Sequence, residues 1–404
     1  MPDDRGTVRQ VVTGLVCLCL AAAVWLPCIH LLFRQDVDEY FCGEGIPPKA
    51  QALVARQLEL WTDPGEKEKE LERMRQSNAE WDFMSRTFFV LSLANMSLRN
   101  HAKQDLYLDV MDHIIDVTIQ QEQEHGVYYF LMPYARNREW IAPQQRSIFE
   151  DGEIALMLAV RRLVEEKNEY EPELTERVNT MVAMMESSPV LCAESYPDEC
   201  WIFCNAVALD AIRIADILDG TDHSAFLSRW LETAKRTLTH RETGMLYSSF
   251  SVDGTPLDGP EGSSIWFVSH CLQIIDPEFA ADQYARAKRE LADELMGFAY
   301  AGEWPDSWRG AADIDSGPII PVLDMSAGSS GMAFLGAGAF KDKDYLSGLL
   351  ASLTCGGFPI ERDGRLRYAA SNQVGDAVLL YSMVLGPLWE EVGRRAVLQG
   401  REGV

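Results

Sequence analysis

No basic stripe runs anywhere along these 404 residues. Lys and Arg number 36 against 62 Asp and Glu, a formal net charge of −26. A surface of that sign cannot neutralise phosphates, so nucleic acid is excluded as a partner. No CxxC pair or Cys/His set has zinc spacing, which argues against a metal site. The glycine-rich run GSSGMAFLGAG (328–338) is not followed by Gly-Lys-Ser/Thr, so it is no phosphate loop. Its small residues instead let buried helices approach closely. Strand signals are few; the clearest extended piece, MLYSSFSVDGTPLDG (245–259), reads as a short hairpin turning at Asp253-Gly254.

Charge is also missing from residues 11–33, VVTGLVCLCLAAAVWLPCIHLLF. That run exceeds the roughly 20 residues needed to span a bilayer. Arg5 and Arg9 precede it and an acidic stretch follows, so the positive-inside rule puts the N-terminus in the cytoplasm and the bulk of the chain outside. A cleaved signal peptide is the rival reading. It is disfavoured because apolar sequence continues for ten residues past Ala21-Ala22-Ala23. The expected organisation is a tail (1–10), a transmembrane helix (11–33), a juxtamembrane linker with a charged, solvated helix (34–80), a barrel domain (81–395) and a tail (396–404). Six cysteines lie beyond the apolar run. Of these, Cys192 and Cys200 are near enough in sequence for a local disulfide, although spacing alone assigns no pairing.

From about residue 80 two kinds of helix alternate. Ile154–Val164, Ile202–Leu218, Met332–Phe340 and Ala377–Leu385 are apolar on nearly every face and must be buried all round. Others, such as Leu174, Val178, Met181, Val182 and Met185, carry one apolar stripe. Inner and outer helices in alternation predict an all-α fold, an (α/α)6 toroid of helical hairpins. Acids stand at or before the inner helices: Asp82, Asp151, Asp198, Glu261, Asp315 and Asp376. If the turns converge, these acids line one concave site. Helix capping, which also favours Asp, is the alternative for each.

The stretch 195–223 is the richest. A turn holding Ser195, Tyr196, Pro197, Asp198 and Cys200 runs into a buried helix headed by Cys204 and Asn205. The helix dipole there favours anions and thiolates. Cys204 can be an acid, a base or a small core residue. Here the chain resembles the linalool dehydratase/isomerase family. The carrying residues are Pro197-Asp198, Cys204-Asn205 six residues on, DGTDHSAFLSRWLETAKRTL, and IIDPEFAADQY (274–284). The similarity covers most of 80–390 and is densest over 148–290. It implies an exported toroid that hydrates and dehydrates small unsaturated alcohols without a cofactor, in a pocket of acid/base groups and two cysteines. One pocket cysteine falls on Cys204 and the turn acid on Asp198. The other cysteine falls on Ser195, and the catalytic histidine on Glu153.

Asp198, Cys204 and Glu153 are therefore the expected catalytic groups. Asp151, Ser195, Tyr196, Asn205, Glu261 and Asp315 are the expected pocket. Dehydration needs an acid for the leaving hydroxyl and a base for a neighbouring proton, which carboxylates with separated pKa values supply. The expected partners are a small-molecule substrate and, through residues 11–33, a membrane; a homo-oligomer is compatible with the sequence. Two other functions fit the same toroid. Paired carboxylates and the ten Trp fit a carbohydrate-active or sugar-binding protein, each Trp being read by itself as packing. A non-catalytic envelope protein is the third. Tyr128, Tyr129, Tyr134 and Trp140 form a candidate loop over the site or an aromatic cover of the rim. His125 and His270 are read as structural.

Overall fold

The computed structural model describes residues 4–41, 45–63, 65, 67–310 and 316–402. We label the main helices α1 (Asp4–Trp25), α2 (Pro48–Thr62), α3 (Ala79–Arg99), α4 (Gln104–His125), α5 (Ile148–Val164), α6 (Glu171–Ser187), α7 (Ile202–Asp219), α8 (Ser224–Thr237), α9 (Gly262–Cys271), α10 (Pro277–Leu291), α11 (Ala327–Ala339), α12 (Lys343–Gly356), α13 (Gln373–Val384) and α14 (Pro387–Glu402).

Among the described residues, α3, α5, α7, α9, α11 and α13 pack side by side in that order, and α13 closes on α3. This is the expected (α/α)6 ring. The all-round apolar sequences are the cause: Ile154, Leu156, Leu158, Ile212 and Ile214 are fully buried on opposite faces of their helices. Glycine permits the closest approaches. A Cβ on Gly152 would lie 3.3 Å from the Ala208 backbone, and one on Gly338 would lie 3.0 Å from the Ser382 carbonyl. The inner helices start where polar side chains take up loose N–H groups. Asn78 accepts from Trp81, Ser326 from Ser329 and Asn372 from Gly375. Gly220, at φ +69°, ends α7.

Outer helices α4, α6, α8, α10 and α12 follow their inner partners. The sixth outer place is taken by α2, which packs on α13 and α4. The expected division of the chain is corrected here. Residues 34–80 are not a linker and a solvated helix, because Leu53, Val54, Leu60 and Trp61 of α2 are buried in the common core. Tyr40, before α2, is 2% exposed; it stacks on Phe334 and hydrogen-bonds Ser382. At the other end α14 runs through the expected tail to Glu402, under α3, α5 and α7. The expected hairpin is present. Ser249–Phe250 pairs with Pro256–Asp258 and also with Cys200–Trp201, in one small antiparallel sheet. Cys192 and Cys200 are both free and buried.

Helix α1 is long and apolar, with none of its span buried, as a membrane anchor or a signal sequence would be.

Outer helices also supply cations to acids on the inner ring. Arg177 of α6 reaches Asp151 at 2.7 Å, Glu173 at 2.7 Å, and Glu122 of α4. Arg146 holds Asp151 as well. Removing one side of a buried ion pair leaves an uncompensated charge, at a cost of roughly 3 kcal/mol. Arg177→Met is therefore expected to destabilise the fold by about that amount in denaturant unfolding. A loss under about 1 kcal/mol would contradict the assigned role.

Candidate active site

The N-terminal ends of the inner helices converge on a cavity of about 430 Å³. Trp81 and Met84 (α3), Phe149 (α5), Phe203 (α7), Met332 (α11), Val374 and Val378 (α13), with Trp201, give it a largely apolar wall. Ser263, Ser264, Ser316, Ser371 and Asn372 also line it. Glu80, Tyr196 and Cys204 supply the chemistry-bearing groups.

Tyr196 donates its hydroxyl proton to Glu80 Oε1 and accepts the Met132 N–H at 2.9 Å. Burial, and then the charge of Glu80, hold the phenol far above its ordinary pKa, so it stays protonated. Glu80 is the second residue of α3, where the helix dipole favours a carboxylate. Cys204 is the third residue of α7, and there the dipole loses. Burial pushes its thiol well above the ordinary range, a Ser195 hydrogen bond opposes this, and the charges of Glu153 and Glu80 add to the rise. Cys204 is therefore a neutral thiol and not a thiolate at ordinary pH.

Two expected residues stand behind this corner. Ser195 accepts the Trp201 N–H at 3.1 Å and hydrogen-bonds Cys204. Glu153 is 1% exposed and accepts from Thr87 Oγ1 at 2.5 Å. Burial raises its carboxyl to about 8, against the Thr87 hydrogen bond and with help from the Glu80 charge. It is protonated at neutral pH, and it does not line the cavity.

Among the described residues, Asp151, Asn205, Asp198 and Glu261 are not part of the cavity wall. Asp151 is bound to Arg146 and Arg177, facing the outer helices. Asn205 clamps the turn: its amide accepts from Ala193 N at 2.8 Å and donates to the Ala193 and Trp201 carbonyls. Asp198 is a turn residue at φ 55°, its N–H given to Glu194 at 2.7 Å. Glu194 also takes the Ile141 and Ala142 N–H groups, so a buried carboxylate organises the turn. Glu261 is buried beside α9, its N–H bonded to Ser248 Oγ at 2.8 Å. Asp315 lies outside the described residues.

Sequence reasoning missed Glu80. Its surroundings, EKEKELERMRQSNAE, read as a solvated charge run. The usable signal is Asn78, an N-cap followed at once by an apolar helix. Asp82, the acid picked out there, instead pairs with Arg86 at 2.8 Å. The aromatic loop does reach the site, since Tyr134 stacks on Tyr196 with centroids 4.7 Å apart. His270 is buried against Tyr381 and Trp389, and burial lowers it to about 4, as a packed residue requires. Among the described residues no group of His, Cys, Asp and Glu is placed to hold a metal ion.

The model of the linalool dehydratase/isomerase family matches residues 149–374, more than half of the chain. This chain belongs to that family. Tyr196, Cys204 and Glu153 fall inside the matched residues, whereas Glu80, α2 and the apolar N-terminal helix fall before them. Among solved structures, the unsaturated glucuronyl hydrolase of Bacillus sp. GL1 is similar at a TM-score of 0.52 and 10% identity, over 83% of this chain and 96% of that one. That likeness carries the toroid fold alone. A D-mannose isomerase (TM-score 0.48, 14% identity, 77% of this chain and 86% of that one) is also similar. So is a GH76 alpha-mannanase of Bacteroides thetaiotaomicron (0.45, 9%, 78% and 87%).

Glu153 sets a pH signature for the family member. Its folded pKa is raised, so the folded state holds a proton that the unfolded state has lost. That stability is complete below the ordinary carboxyl value of about 4.3 and drains away as pH rises to about 8. The thermal midpoint is expected to fall across this window, and Glu153→Gln to flatten the fall. An unchanged slope in the variant would contradict the buried, protonated state.

Proposed function

We propose that the protein is a cofactor-independent lyase or isomerase that hydrates and dehydrates a small, mostly apolar alcohol or alkene. The observation that carries this is the meeting of Glu80, Tyr196 and a neutral Cys204 in one apolar cavity. Loss of water from an alcohol takes one proton onto the departing oxygen and removes one from a neighbouring carbon. The Cys204 thiol is the donor in this scheme. The Glu80 carboxylate accepts the carbon-bound proton, steadied by the Tyr196 hydroxyl. Water leaves, a carbon–carbon double bond forms, and return of the proton from Glu80 to Cys204 restores the site. Trp81, Phe149, Trp201 and Phe203 present aromatic surface to the positive charge that develops on carbon. Ser195 and Glu153 are positioning residues behind the thiol.

The family membership supports this reading, and so does the largely apolar wall, which suits a hydrocarbon better than a sugar. We further propose that residues 11–33 remain as an anchor, with the barrel on the extracytoplasmic side. A carbohydrate-active enzyme is the second reading, favoured by Trp81 and Trp201 in the wall beside serines and an asparagine.

The test is headspace gas chromatography of the full chain with a series of small tertiary and allylic alcohols, run against a panel of oligosaccharides. Turnover of an alcohol is expected, and Glu80→Gln is expected to lower it by about 10²-fold or more with a nearly unchanged thermal midpoint. Cys204→Ala is expected to act alike. Cleavage of an oligosaccharide with no alcohol turned over would replace this reading with the second.

A further inference from the structure

The apolar span does not leave the barrel at an arbitrary place. At its end His30 packs edge-on against Phe298 with ring centroids 6.3 Å apart, and Phe33 lies 6.0 Å from the same ring. Gln35 then donates to Thr354 Oγ1 at 2.6 Å, near the C-terminal end of α12. Phe298 begins the second strand of a hairpin, Ala292–Leu295 with Phe298–Ala301, which lies along α12. That end of α12 is the cavity end of the toroid, because outer helices run antiparallel to the inner ones.

Large apolar side chains are exposed around this point. Leu295 and Met296 form the tip of the hairpin, and Phe358 follows α12 by two residues with Ile360 beyond it. A neighbouring hairpin, Ile319–Ile320 with Met325–Ser326, exposes Ile320 and Val322, the latter 92% accessible. This second hairpin also borders the cavity. Gly317 and Pro318 before it, and Ala327 and Gly328 after it, are wall residues. Exposed apolar residues in a contiguous patch mark an interaction surface. Here the patch is continuous with a segment long and apolar enough to cross a bilayer.

We propose that this edge of the barrel mouth rests on the lipid bilayer, and that the substrate reaches the cavity from the lipid phase. The inference rests on the proposed reading of an apolar substrate and a retained anchor. The occupant is a membrane and not a second protein, since the patch begins where the membrane span ends. Asp293, Glu294 and Asp324 are exposed among these residues, so contact is at headgroup depth and not in the hydrocarbon. Arg362 and Arg367, on the hairpin that follows Phe358, face solvent and are placed to meet phosphates.

The test uses the full chain in phosphatidylcholine–phosphatidylglycerol nanodiscs, with Cys17, Cys19, Cys28, Cys42 and Cys355 replaced by Ser. A bimane probe is attached at Met296→Cys, Val322→Cys or Phe358→Cys. The reference is Glu169→Cys, exposed at the opposite end of the toroid after α5. Lipids brominated high on the acyl chain are expected to quench the three patch probes by roughly half and to leave the reference unchanged. Equal, weak quenching at all four positions would overturn the proposal. The readout is independent of turnover: quenching without alcohol turnover removes the substrate reading alone, and turnover without quenching removes the membrane contact alone.

Discussion

Closure of the inner helical ring is the constraint on which the rest depends. A helix that is apolar on every side has no stable place except between neighbours, and six such helices satisfy one another only by forming a closed circle. Closure directs all six N-terminal ends to one side, and that alone creates a concave site from segments spread over some three hundred residues. It also needs an outer cover at the seam between α13 and α3. The chain supplies this from α2, on the N-terminal side of the ring, and so the segment joining the barrel to the apolar N-terminal helix is locked into the core through Leu53, Leu60 and Tyr40. The position of the apolar span relative to the mouth follows from the same requirement.

The toroid was legible in the sequence because burial on all faces leaves a composition that no other helix has. The site was legible only in part. Cys204 and Tyr196, picked out because each heads or precedes a fully apolar helix beside a turn dense with polar groups, both line the cavity. Asp151 looked the same locally, yet besides nearby Arg146 it is held by Arg177, 26 residues on and on another helix. An acid's partner across a helical hairpin leaves no trace in the acid's own neighbourhood. Glu80 failed for the opposite reason. It follows a run of charges that dominates any local average, while the ring closure that turns it inward is a long-range event. Residues 51–80 were misjudged in the same way: their charges are real, but Val54, Leu60 and Trp61 between them bury one face.

The electrostatics of the site follow from that burial. The start of a helix ordinarily favours a thiolate, but at Cys204 desolvation and two nearby carboxyl groups outweigh the dipole. The same dryness keeps Glu153 protonated and Tyr196 a phenol. A cavity with one carboxylate, one phenol and one neutral thiol in an apolar wall can move protons onto and off a neutral substrate without first stripping water from several ions. Where the family resemblance places a histidine, Glu153 is driven towards neutrality by burial, with help from the Glu80 charge.

The proposed chemistry is reversible removal of water from an apolar alcohol at the Glu80–Tyr196–Cys204 corner. Exchange of isotope between solvent and substrate tests it most directly. The full chain is incubated with a small tertiary allylic alcohol in ¹⁸O-labelled water, and the recovered alcohol is analysed by mass spectrometry. The native chain is expected to place ¹⁸O in the alcohol, and Glu80→Gln to do so about 10²-fold more slowly or not at all. Recovery of unlabelled alcohol from the folded native chain across the alcohol series, or equal labelling by the variant, would contradict it.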